Sequence, residues 1–108
     1  MLRSSLVIAS LLLLALPAYA DADGRLGVSM QCQTRDGGHR VTIFATNTNA
    51  SNRDCSSICY HRNDLGGDGQ TDCKGSLGAN DSDVVFCETY DANRTFTVTD
   101  PGGFDCTK

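Results

Sequence analysis

From Leu26 onward the chain alternates, with Leu26, Val28, Met30 and Cys32 separated by Gly27, Ser29, Gln31 and Gln33. Successive side chains on an extended backbone point to opposite faces, so this period of two predicts a half-buried strand over 26–33. Arg35-Asp36-Gly37-Gly38-His39 follows, and its Asp-Gly and Gly-Gly pairs accept the positive φ of tight turns, which predicts a reversal. A second strand runs over 40–48, with Val41, Ile43 and Ala45 inward and Thr42, Phe44 and Thr46 on the other side. An aromatic ring on that outer side calls either for a second covering layer or for a partner.

Small polar residues over 47–54 make a connector, because their side chains hydrogen-bond neighbouring backbone. The strand over 54–62 then puts Cys55, Ser57 and Cys59 on one face and Ile58 and Tyr60 on the other. Two cysteines four apart on a strand are roughly 13 Å from each other, too far to bond, so each must reach a different partner strand. An acidic, glycine-rich loop spans 64–72, and a poorer strand over 71–77 follows, weakened by Gly75. Beyond a turn at 78–83, the strand over 83–90 carries Val84, Val85, Phe86 and Cys87; apolar on both faces, it reads as a central strand. Asp91-Ala92-Asn93 turns the chain again, 94–99 alternates with Phe96 and Val98 inward, and Pro101-Gly102-Gly103 ends that strand, leaving Cys106 to pin the tail. Short strands with turns every eight to twelve residues or so predict an all-β fold: a small antiparallel β-sandwich or barrel of about six or seven short strands.

The first twenty residues stand outside this pattern. Arg3, an apolar run from Leu6 to Leu16 and the small-x-small Ala18-Tyr19-Ala20 form an export signal, with cleavage expected after Ala20. The run is shorter than the roughly 20 residues a bilayer span demands. A single disulfide-stapled domain over 21–108 remains, secreted or periplasmic, with eight basic and thirteen acidic residues and a net charge of −5. Clustered lysine and arginine, which nucleic acid or an anionic membrane would call for, are missing; only two lysines occur.

All six cysteines, Cys32, Cys55, Cys59, Cys73, Cys87 and Cys106, lie in the domain. An even number in a short exported chain reads as a disulfide framework. From Leu26 to Phe104 only seventeen large apolar or tyrosine side chains are available, and there is no tryptophan. A core this small leaves stability to the staples, at about 2–4 kcal/mol each. Six cysteines permit fifteen pairings, and spacing does not select one; the arrangement expected joins Cys59 to Cys73 across the acidic loop, Cys32 to Cys106 at the two ends, and Cys55 to Cys87.

Asp64, Asp68 and Asp72, interleaved with glycines, form a calcium candidate, since hard cations want several oxygens on a flexible turn. Taken as an EF-hand with Asp64 first, the loop puts Gly66 and Gly75 where ligating side chains belong. The competing reading is a solvated turn, and no metal or other cofactor is expected. The two histidines, His39 and His61, with the single glutamate Glu88 could furnish the acid and base of a small hydrolase or ribonuclease, provided they meet in one cleft. No nucleophile elbow, zinc-protease helix or phosphate-cradling glycine loop is present. Asn49, Asn80 and Asn93 begin Asn-x-Ser/Thr triplets, all in expected turns. The reading that follows is a non-enzymatic exported scaffold presenting polar loops to a protein or glycan, with Tyr60, Asp64, Asp68 and Asp72 as its binding residues. The hydrolase is the alternative from another class, and an inhibitor or toxin acting through its loops is a third.

Overall fold

Alternating apolar positions can be buried from one side only, so each strand must join a sheet and the sheets must stack. The computed structural model describes residues 27–107; the leader read over 1–20 lies outside the described residues. Six strands form two three-stranded antiparallel sheets: β1 (Val28–Arg35), β2 (Arg40–Asn47), β3 (Arg53–Asn63), β4 (Asp68–Leu77), β5 (Val84–Tyr90) and β6 (Phe96–Thr107). The first sheet has the order β1-β2-β5 and the second β4-β3-β6. The β1–β2 reversal is a single 3-10 turn at Asp36–Gly38, where Asp36, Gly37 and Gly38 all take positive φ. Arg35 pairs with Arg40 across it.

The first sheet contributes aliphatic residues to the interior: Val28, Met30, Val41, Ile43 and Ala45 are each at most 2 % exposed. The second contributes Leu77, Phe104 and four cysteines, Cys55, Cys59, Cys73 and Cys106. Sulfur therefore makes up much of the second sheet's share of the core, beside Leu77 and Phe104. Phe96, Val98, Val84 and Phe86 pack around this centre.

All three disulfides differ from the expected pairing: Cys32 bonds Cys59, Cys55 bonds Cys106, and Cys73 bonds Cys87. Cys55 and Cys59 do reach different strands, as their separation requires. Cys59 cannot take Cys73, because β3–β4 register sets Thr71 opposite Cys59 and Cys73 opposite Ser57. Cys59 instead crosses to β1 of the facing sheet, and Cys73 crosses to β5. Cys55 and Cys106 face each other on neighbouring strands of one sheet. Three intramolecular disulfides fit an oxidising environment.

Three elements differ from their sequence reading. The strand read as poor is the ten-residue β4, whose Thr71, Cys73 and Leu77 are buried, and the turn before it shrinks to the residues between Asn63 and Asp68. β5 lies at an edge, paired only with β2, and Val85 is 48 % exposed. β6 runs on through Pro101 for twelve residues. Being an edge strand it can spare the proline's missing N–H, and its register against β3 slips between Ile58 and Tyr60, where Pro101 and Gly102 bulge.

Asn47 ties the far end of the sandwich together. It is fully buried, and its Nδ2 donates to the carbonyls of Ser51 and Gly78, at 3.1 and 3.0 Å. Its Oδ1 accepts from the backbone N–H and side-chain Nδ2 of Asn49.

Candidate functional site

β3 is the central strand of the second sheet, and its odd-numbered residues from Cys55 to His61 point inward. Asp54, Ser56, Ile58, Tyr60 and Arg62 therefore form the spine of the outer face. Register places Ser76, Lys74, Asp72, Gln70 and Asp68 of β4 directly beside them, in that order. On the other flank β6 sets Asp105 beside Ser56 and Gly103 beside Ile58.

Two depressions open on this face. One, of about 380 Å³, is lined by Asp54, Ser56, Lys74, Ser76, Asp105 and Thr107, among others. The second, of about 420 Å³, runs on over Ile58, Asp72 and Gly103, and shares Ser56 and Asp105 with the first. They make one shallow trough along β3. Its depth has a local cause: the central residue is a serine, and beside Ile58 stands Gly103, where an added Cβ would meet nothing within 4 Å. Three carboxylates, from Asp54, Asp72 and Asp105, rim the trough against the ammonium of Lys74. Tyr60, 40 % exposed, continues the same face beyond Ile58.

Of the residues singled out from sequence, Tyr60, Asp68 and Asp72 share this face, though Asp68 is engaged by Arg62 at 2.8 Å. Asp64 is directed elsewhere: its carboxylate lies 3.7 Å from Arg94 and accepts from the backbone N–H of Thr95. The three aspartates of the calcium candidate do not converge, and among the described residues no group of three His, Cys, Asp or Glu side chains could hold a metal ion.

His39, His61 and Glu88 are not brought into one cleft. His39 Nδ1 lies 2.6 Å from the Arg94 carbonyl and 3.2 Å from that of Asp91; carbonyls only accept, so this nitrogen carries the proton. Glu88 sits on the outer face of the first sheet, accepting from Arg40 Nη1 at 2.9 Å and Thr42 Oγ1 at 3.0 Å. His61 is 5 % exposed between the sheets. Its Nε2 meets Thr71 Oγ1 at 3.1 Å, and Thr71 in turn meets Thr89 Oγ1 at 2.8 Å, so a polar chain crosses from the second sheet to the first. Phe96 stacks edge-on at 5.0 Å. Burial pushes the imidazole pKa below its ordinary 6.5, outweighing the opposing pull of the Gln70 carbonyl. Among the described residues no second layer covers Phe44: it is half-buried on the outer face, with the Arg35 guanidinium 5.4 Å over its ring.

Sequence reasoning missed Asp54, Ser56, Lys74, Gly103 and Asp105. Alternation already set Ser56 beside Ile58 and Tyr60, but which residues of β4 and β6 flank them depends on register. No family model, no curated protein and no solved structure matches the chain.

Proposed function

We propose that the protein is an exported, non-catalytic binding module whose recognition surface is the outer face of the second sheet. What carries the reading is the continuous trough over Ser56 and Ile58, built on a strand pinned by two disulfides, Cys55–Cys106 and Cys32–Cys59. A site on a stapled central strand is ordered before its ligand arrives, which lowers the entropy cost of binding. Its carboxylates outnumber Lys74, so the favoured occupant is a basic segment of a partner protein, with Tyr60 as the aromatic anchor at one end. This moves the contact from the loop tip to the strand face, retaining Tyr60 and Asp72 and leaving Asp64 outside.

Affinity capture from the native source tests the reading, with wild-type protein, Gly103→Val and the pair Asp72→Asn/Asp105→Asn as baits. A partner held by wild-type protein, released by salt and lost with both variants supports it. Retention by both variants overturns it, as does capture that is indifferent to salt. A glycan that competes for the same trough would replace the basic segment as occupant.

A further inference from the structure

Three asparagines begin acceptor triplets for N-linked glycans, and the fold treats them differently: Asn49-Ala50-Ser51, Asn80-Asp81-Ser82 and Asn93-Arg94-Thr95. We infer that Asn80 and Asn93 are glycan-bearing sites of the folded protein and that Asn49 is not. The inference stands apart from the binding reading.

The Asn49 amide is built into the domain. Its Nδ2, the atom a glycan would occupy, donates to Asn47 Oδ1 at 2.8 Å, while its Oδ1 accepts from Arg53 Nη2 at 3.2 Å. That nitrogen also lies against the start of β1, within 2.9 Å of where a Cβ on Gly27 would stand. A sugar there would displace the Asn47 contact that closes this end of the sandwich. Asn80 and Asn93 are both exposed at turn tips. Asn80 has φ +61, a left-handed conformation asparagine tolerates. Around Asn93 the residue contributes its own main-chain groups to the turn, its N–H donating to Asp91 Oδ1 and its carbonyl accepting from Arg94 Nη1, so the side-chain amide is not needed to form it.

The two sites lie at opposite poles. Asn80 donates its N–H to the Asn49 carbonyl at the connector end, whereas Asp91 N–H reaches the His39 carbonyl at the other. The seven residues of β5 separate them by roughly 23 Å. Glycans at the poles leave both outer sheet faces bare. The co-reactant is a lipid-pyrophosphate-linked oligosaccharide: a bond forms between Nδ2 and the anomeric carbon, the bond from that carbon to the pyrophosphate oxygen breaks, the lipid pyrophosphate leaves, and the amide proton passes to a base of the transferase.

Secreting the full chain from a eukaryotic host and removing glycans enzymatically, which turns each occupied Asn into Asp, maps the sites by peptide mass. The expected result is conversion at 80 and 93, none at 49, loss of all glycan in Asn80→Gln/Asn93→Gln, and no mobility change in Asn49→Gln. Conversion at 49 in the folded, disulfide-bonded product overturns the inference. So does secreted protein bare at both 80 and 93, or a chain that stays in the cell without glycan.

Discussion

Two adjacent glycines on β6 have opposite roles. Gly102 has φ +65, and a Cβ there would run into the Ile58 carbonyl, so the bulge that passes Pro101 depends on its bare backbone. Gly102→Ala is expected to cost more than about 2 kcal/mol, read by denaturant unfolding. Gly103 borders open space without positive φ, and Gly103→Val should change stability by less than about 1 kcal/mol while filling the trough. Equal losses in the two variants would contradict this division. At the opposite end, Asn47→Ala strands the carbonyls of Ser51 and Gly78 and the Asn49 N–H, and is expected to cost about 2–3 kcal/mol. His61 adds a pH dependence. Because its folded pKa is depressed, the unfolded chain takes up its proton first as pH falls. The stability it contributes is therefore full above 6.5 and lost as pH drops toward the folded value. Histidine NMR titration should find His61 below that value, and a midpoint at or above it would show that the ring is not desolvated.

At the scale of elements, the alternation in 26–33, 40–48 and 54–62 was enough to locate β1, β2 and β3 and to sort their faces. Val41, Ile43 and Ala45 do turn inward, and Tyr60 outward. Where local pattern and sheet position conflict, the pattern misleads. Val84 to Cys87 look like a central strand, yet among the described residues β5 pairs with β2 alone, and Val85 shows its side chain to solvent beside Phe44. β4 looks weak because of Gly75, but its inward Thr71 and Cys73 meet Thr89 and Cys87 of β5, partners that no local window reveals. The trough was half legible: its spine on β3 follows from alternation, while its rim joins residues far apart in sequence. Disulfide pairing was illegible for the same reason, since two bridges record the stacking of the sheets and the third the register of β3 and β6. That stacking makes the bridges unequal. Loop closure assigns about 3 kcal/mol to Cys73–Cys87, spanning 14 residues, and about 4 kcal/mol to Cys55–Cys106, spanning 51. Of these two, Cys73–Cys87 alone ties β5 to the facing sheet, so Cys73→Ala/Cys87→Ala should also speed amide exchange in β5, whereas Cys55→Ala/Cys106→Ala should leave β5 protected. Equal exchange in both variants would refute this assignment.

For the whole molecule, the interior is divided by composition, with aliphatic side chains from the first sheet set against Leu77, Phe104, cystine sulfur, threonine, serine and one histidine from the second. A small sheet with that inner face has little hydrocarbon to hold it to its neighbour, and domains of this size are marginal to begin with. Two covalent links between the layers, Cys32–Cys59 and Cys73–Cys87, supply what apolar burial does not, and the third fixes β6 against β3. The outer trough inherits its rigidity from those links. Circular dichroism in the near ultraviolet, with urea unfolding, on the fully reduced and alkylated protein at neutral pH and 25 °C tests this most directly. The expected result is a chain without fixed tertiary signal or cooperative transition before urea is added; a reduced protein that keeps both would contradict the account.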